Sequence, residues 1–436
     1  MDDVYVLNQY LDVVGVVDSY KSLIWATRYR DVGDCELYVP ATANNLTLLQ
    51  KGYYLVRADD DMICQIKYIQ LDTDAENGNY LIVKGFDVKR FCDQRVVWST
   101  ISCDGSVEAF IRSMVNGALG NAGLYARQIT DPDGNRIFYL GDPAGFTEVT
   151  TEQVSYKNVG EKIRDYCLQY GWGYKVILGE SKFWFILYKG TDRTNSVIFS
   201  SDYENLAAST YIEDETNMGN VALVAGEGEG SERSKNVSGY AESVDRYEVY
   251  VDAKDISKTI TWGDLTALYP TTDQGGQGYI SGSSTSGYTY KLNYLNVQIV
   301  DDDQLTWLQA NYPGGQVITV SGIQYYQVYN QAVADIPSNS PEDGDNVTLR
   351  NIVYMVYLLN RGYEKLAEYG AITSFSGTIE PNVTFIYKQD YFLGDLVTVQ
   401  NDFGISVGAR IVEVIEVNDD NGYSVEPKFE YISQEG

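Results

Sequence analysis

The sequence predicts a mainly β protein with α+β parts. Two observations carry this. The composition is rich in Tyr (38) and Gly (40) and poor in Pro (9), which suits strands joined by glycine turns. Apolar residues alternate at period two through most of the chain, and only three longer stretches switch to helical spacing. At 436 residues the chain exceeds one ordinary domain, so about two to four are expected. Hydrophobic content of 44% is enough to build real cores.

Val4 to Asp18 reads as two short strands. In Asp18 to Pro40, Leu23, Trp25 and Thr27 share one side, Gly33-Asp34 turns the chain, and Cys35, Leu37 and Val39 alternate with Glu36 and Tyr38. That is a hairpin whose Trp and aliphatics anchor a small barrel or sandwich. Thr47 to Gly52 closes a short helix or turn. Tyr53 to Ala58 and Met62 to Asp72 read as strands around the acidic turn Asp59-Asp60-Asp61. Asn77-Gly78 signals the next hairpin.

Ser106 to Leu119 places Val107, Phe110, Ile111, Met114, Val115 and Ala118 on one helical face, with Ser106 as N-cap and Gly120 as stop. Val159 to Tyr170 is a second helix, capped by Asn158 and stopped by Gly171. Two strands follow around Gly179-Glu180-Ser181. Asn220 to Ala225 and Tyr247 to Val251 are further strands. Gln274 to Gly287 and Pro337 to Asp345 read as loops or linkers. Asn346 caps a third helix through about Leu359, with Gly362 as an interruption. Strands fill the remainder, with a hairpin turn at Asn421-Gly422.

Charge and cysteine usage exclude several functions. The net charge of −29 opposes a broad nucleic-acid footprint or an anionic membrane surface. The five cysteines are odd in number and lack CxxC spacing, so neither a disulfide framework nor a zinc site is expected. Isolated buried thiols in a reducing cytosol are expected instead. The acidic start, Met1-Asp2-Asp3, has no apolar run after it, so no signal peptide is read. No stretch reaches the length of a membrane span. These features predict folding in a cytoplasm.

There is no histidine, which removes Ser-His-Asp and Cys-His sites and the usual zinc ligand sets. Carboxylate-pair glycosidases survive that filter, but no pair among the 61 acids is singled out by spacing. Gly226-Glu227-Gly228-Glu229-Gly230 looks like a phosphate loop, yet its two glutamates would repel phosphate. Asp72 to Gly78 fails the calcium-loop spacing and sits between strands, so a hairpin is expected. Asp59-Asp60-Asp61 and Asp301-Asp302-Asp303 read as solvated turns. No catalytic residue, cofactor or metal is assigned.

SLIWATRYRDVGDCELYVP, followed by GYYLVRADDDMICQIKYIQLD, resembles a family of siphophage tail proteins, the ReqiPepy type. It is also similar to the N-terminal hub part of tail-associated lysins. The resemblance resumes at KNVGEKI, NVALVAGEGEGSER, DRYEVYVDAKDIS and DYFLGDLVTVQNDFGISVGARIVEVIEV, and skips roughly Trp262 to Asp345. Its signature residues here are Trp25, Arg28, Tyr29, Gly33, Pro40, Gly226, Gly228, Arg233, Gly394 and Asp395.

The resemblance implies two small β-barrels, each with an α+β companion. The first barrel would span 1–98, completed by 202–245, with an α+β unit inserted at 99–201. The second region would be 246–261 with 346–436, and 262–345 an insertion that forms a surface or binding module. The implied function is structural and non-enzymatic: a homotrimeric baseplate hub at the tail tip of the virion, assembled in the host cytoplasm. It would close the tail tube and dock the distal tail protein ring, the tape-measure protein and tail fibres or a receptor-binding protein. DNA would pass only in transit, eased by an acidic lumen, and the tip would meet the host envelope. Lysin members carry a further C-terminal enzyme region, and this chain is expected to stop where the hub part ends. The alternatives are a receptor- or carbohydrate-binding adhesin and, more weakly, a glycosidase-type lysin.

Overall fold

The computed structural model describes residues 3–74, 78–230, 233–258, 278–283, 287–292, 294–299, 302–320, 323–329, 349–370, 372–379, 384–401, 403–404 and 406–431. The chain opens with β1 (Val4–Leu7), β2 (Val13–Val17), β3 (Ser22–Arg28), β4 (Asp34–Pro40), helix α1 (Ala43–Leu48), β5 (Tyr54–Arg57), β6 (Ile63–Asp74) and β7 (Gly78–Asp87). The alternation read from the sequence is the alternation of burial: Cys35, Leu37 and Val39 point inward from β4, and Leu23 and Trp25 from β3. They share a core with Leu55, Ile66 and Val83.

That core holds a correction. Cys35 and Cys64 form a disulfide, whereas isolated thiols were expected. The strand between them explains it. β7 separates β4 from β6, and Gly85 is its residue opposite Cys35. A Cβ on Gly85 would stand 2.6 Å from the Cys64 sulfur, so only glycine leaves room for the bridge. A separation of 29 residues gives no hint of this contact.

The stretch expected as an inserted unit, 99–201, is preceded by α2 (Arg90–Asp93) and contains β8 (Ile101–Ser106), α3 (Val107–Ala118), β9 (Phe138–Leu140), β10 (Val149–Val154), α4 (Val159–Tyr170), β11 (Gly173–Gly179) and β12 (Lys182–Tyr188). Both predicted caps are formed: Ser106 Oγ accepts the Ala109 amide at 3.2 Å and Asn158 Oδ1 that of Glu161 at 3.1 Å. Gly171 ends α4 in the left-handed region. Val107, Ile111, Ile163, Tyr166, Trp172 and Phe183 join one core with Leu7, Tyr54 and Ile63, so this unit is seated on the first strands.

The remaining elements are β13 (Ile198–Ser200), β14 (Leu206–Asp214), β15 (Val221–Ala225), β16 (Lys235–Ser238), β17 (Glu248–Asp252), β18 (Gly278–Ser283), β19 (Gly287–Leu292), β20 (Tyr294–Gln298), α5 (Asp302–Asn311), β21 (Gln316–Val320), β22 (Ile323–Tyr329), α6 (Leu349–Leu366), β23 (Ile372–Ile379), β24 (Leu396–Gln400), β25 (Ser406–Asp419) and β26 (Gly422–Tyr431).

The protein is mostly β, as predicted, but the expected pair of barrels is replaced among the described residues by one open, 13-stranded sheet. Its order is β14-β23-β26-β25-β3-β4-β7-β6-β5-β1-β2, with β24 on β25 and β13 on β24. The join is β3 against β25, in register from Ser22 opposite Asp419 to Arg28 opposite Glu413. Two barrels would each have closed on themselves. Here the free edge of β3 is taken by a strand almost the whole chain away.

Residues 202–245, expected to complete the first barrel, split. β14 pairs with β23, and β15 and β16 join β17 in a separate sheet. Within 274–287, read as a loop, residues of β18 pair with β19. Asp302 and Asp303 open α5 instead of forming a turn. The third helix runs unbroken through Gly362 to Leu366. Gly362 is there for contact: a Cβ would stand 2.0 Å from Ser238 Oγ. Asn346 and Pro337 to Asp345 lie outside the described residues.

Candidate functional site

Five of the signature residues meet where the first strands, the inserted unit and the C-terminal strands touch. Tyr29, just past β3, is the centre. Its amide donates to Val412 O at 2.8 Å and its carbonyl accepts the Tyr174 amide at 3.3 Å. Its hydroxyl lies 3.2 Å from Gly171 O and 3.3 Å from Tyr188 O. Gly173 and Gly394 flank the ring so closely that a Cβ on either would come within 2.2 and 2.5 Å of it. The Tyr188 ring packs edge-on at 5.1 Å, and the Arg410 guanidinium sits 5.4 Å from the Tyr29 ring centre. Burial raises the pKa of Tyr29.

The neighbouring signature residues fix this joint by charge. Arg28 donates to Glu413 at 2.6 Å and to Val32 O at 2.7 Å, and pairs with Asp34. Asp395, buried, accepts the Thr191 amide at 2.7 Å, Arg193 Nε at 2.7 Å and the Phe392 amide at 3.0 Å. Gly394, at φ +95°, supplies the turn. Gly33 fits under Ala26 O, which a Cβ would approach to 2.6 Å. Trp25 lies deeper, with the Arg57 guanidinium 5.8 Å from its ring centre.

Beside the joint is a cleft of about 560 Å³ lined by residues of all three units. The acidic turn read as solvated is one of its walls, and its acids meet side-chain cations. Asp59 pairs with Arg57 at 2.7 Å and Lys388 at 2.9 Å, Asp60 with Lys388 at 2.7 Å, and Asp61 with Lys175 at 2.6 Å. Burial works against the Asp59 charge, but Lys388 and Arg57 hold its pKa below the usual carboxylate range. Across the cleft, burial raises the Asp87 pKa to about 6. No group of three metal-ligating side chains occurs among the described residues. Burial pushes the Cys167 thiol up to about 12 and Cys92 higher still, so neither is a nucleophile at neutral pH.

Gly226 and Arg233 form a second cluster, and Gly228, at φ +117°, lies in the same loop. Arg233 donates to Gly226 O at 2.8 Å and Ala225 O at 2.7 Å and pairs with Asp252. The Gly226 amide is spent on Ser234 O, and the Glu227 amide on the Tyr354 hydroxyl at 2.6 Å. The loop is thus clasped against α6, and these two amides are not free to cradle phosphate. Pro40 stands apart at the end of β4, where its carbonyl accepts Asn45 Nδ2 at 2.9 Å.

A third cluster escaped the sequence reading. Arg361 and Glu364 of α6 meet Glu152 of β10 and Lys162 of α4, all four buried. Lys162 Nζ is 2.5 Å from Glu364 and 3.4 Å from Glu152, and Arg361 reaches Asp255 at 3.1 Å and Gln153 O at 3.0 Å. This network ties α6 to the inserted unit. A signal existed: Lys162 falls on the Val159, Ile163, Tyr166 stripe, where a solvated cation has no place.

The sequence matches the Siphovirus ReqiPepy6 Gp37-like protein family over residues 3–429. No curated protein matches it. Among solved structures, a tail protein from Neisseria meningitidis superposes with a TM-score of 0.51 at 9% identity, covering 99% of this chain and 97% of that one. A 43 kDa tail protein of prophage MuSo2 from Shewanella oneidensis gives 0.48 at 6% identity, covering 98% of each chain. Prophage tail protein gp18 from Listeria monocytogenes gives 0.45 at 10%, covering 100% of this chain and 95% of that one. At such identities the Neisseria likeness speaks for the fold alone. The family match covers nearly the whole length, and the chain belongs to the Siphovirus ReqiPepy6 Gp37-like family: it is a phage tail protein, a component of the virion.

Proposed function

We propose that this tail protein is the baseplate hub of a siphophage-like tail, a non-catalytic homotrimer that closes the tail tube. The observation that carries this reading is the continuous sheet. One wall of strands runs from β14 to β2 through both the N-terminal and C-terminal regions, locked at the Tyr29 joint. Among the described residues no further strand pairs with β14 or β2 at the ends of this path, and Val13, Val14 and Val16 are exposed on β2. An open apolar edge invites pairing with another chain, which suits a wall segment of a ring. The ring would seat on the distal tail protein, hold the end of the tape measure and carry fibres, with DNA only passing through its acidic interior.

Class averaging of electron micrographs, with mass photometry on the same sample, tests this. Threefold rings with a central channel are the expected result. A protein that stays monomeric at high concentration, even with purified distal tail ring added, overturns the hub reading.

A further inference from the structure

We propose that an arginine- and aromatic-rich face of the inserted unit, centred on Trp98 and Arg127, is where one copy of this chain grips the acidic surface of the next. The proposal rests on the ring-forming reading above.

Acids outnumber bases 61 to 32 in this chain, so carboxylate partners are plentiful and several arginines have one. Arg28, Arg57, Arg193, Arg233 and Arg361 all do. Arg95 and Arg127 do not: among the described residues they form no ion pair and donate to backbone carbonyls instead. Arg127 donates to Val96 O at 2.5 Å. Arg95 donates to Arg127 O at 3.1 Å and to Gln94 O at 3.2 Å. Burial, and then the nearby Arg95 charge, lower the Arg127 pKa. Two like charges side by side, in a strongly acidic protein, leave a counter-charge to be supplied from outside.

The apolar surroundings are those of an interface. The Arg127 guanidinium stacks 4.5 Å from the Trp98 ring centre. The Tyr156 amide bonds Val97 O at 2.9 Å and the Arg127 amide bonds Leu124 O at 2.8 Å, so the backbones at 156 and 124–127 run next to this pair, while the Tyr125 hydroxyl donates to Gly134 O at 3.2 Å. Trp98 is 59% exposed, Tyr125 67% and Tyr156 71%. Trp, Tyr and Arg are the residues that dominate interface energetics, and a monomer rarely leaves them grouped in water.

Charge complementarity selects the occupant. In a head-to-tail ring contact, the face used on one copy differs from the face it meets on the next. Two neighbouring arginines without carboxylate partners, on a chain with 61 acids to 32 bases, are complementary to acidic surface on another copy in that arrangement.

The test uses the full chain and three variants: R95E/R127E, W98A, and the control K51E/K254E, which makes the same change in net charge at two exposed lysines. Mass photometry and sedimentation velocity read assembly at low salt and at about 0.5 M salt, where exposed charge is screened. Thermal melts check that each variant is folded. Assembly weakened about tenfold or more in R95E/R127E and in W98A, with the control intact, is the expected result. Rings formed equally well by all variants would overturn this proposal and leave the hub reading standing, with another acidic protein as the occupant of the patch. A wild type that stays monomeric at high concentration, even with purified distal tail ring added, overturns both.

Discussion

The Glu152 network offers the sharpest test of the structure's energetics. Glu152 and Glu364 are buried carboxyls that share Lys162 and Arg361. Lys162 sits closer to Glu364, so Glu364 keeps its charge and its pKa falls well below the usual range. Burial, then repulsion by Glu364, raises Glu152 to about 7. A protonated Glu152 can donate to Glu364, as can a protonated Asp165. The other charged groups around the site are Asp165 on α4, raised to about 7 chiefly by burial, Lys365 on α6, and Asp255 with Lys157 at the rim.

The sign follows. A folded pKa above the unfolded value of 4.5 means that Glu152 favours folding fully below that value, and that this is lost as pH rises through about 7. A shift of that size is worth on the order of 3 kcal/mol. Glu152→Gln mimics the protonated acid: its amide can donate to Glu364, and its carbonyl can accept the Tyr166 hydroxyl now 2.7 Å away. Urea unfolding of both proteins between about pH 5 and 8, with hydrogen exchange followed on α6, measures the difference. The variant is expected to gain on wild type as pH rises and to match or exceed it at the alkaline end. A gap that does not change with pH would refute the shared-proton account, as would a variant that is less stable at the alkaline end.

Three further outcomes are expected. Tyr29→Ala should cost about 3–5 kcal/mol by emptying the joint, and should expose the inserted unit to limited proteolysis at its two connections; an unchanged cleavage pattern would deny Tyr29 its central place. Asp395→Asn should cost about 1.5–3 kcal/mol by weakening the charge-assisted bonds to Arg193 and the Thr191 amide, read as faster hydrogen exchange at 190–193. Alkylation in denaturant should find three thiols before reduction and five after, because Cys92, Cys103 and Cys167 are free and Cys35 is bonded to Cys64. Reduction should cost about 2–4 kcal/mol, and Gly85→Ala should hinder the bridge from forming.

How much was legible from the residues varies by element. Helix limits and caps at Ser106 and Asn158 were readable because capping is settled within one turn of chain. The alternation of β4 announced its buried face for the same local reason. The phosphate-loop look of Gly226 to Gly230 was discounted for its two glutamates, and the structure adds that two of its amides already have partners. At the Asp59 turn, Asp59 and Asp61 are exposed as expected, but the burial of Asp60 against Lys388 and the pairing of Asp61 with Lys175 were not readable, because those lysines come from distant segments.

The sequence by itself determined the class of fold, the position of its principal helices, the absence of histidine chemistry and, through the order of its motifs, the family. Those are properties of local pattern and composition. Only the tertiary structure decided which strands became neighbours. The pairing of β3 with β25, the bridge across Gly85, the Tyr29 joint and the buried Arg361 network all bring together residues far apart in the chain. Period two names the face of a strand but not the partner at its edge, because every strand offers the same row of backbone donors and acceptors.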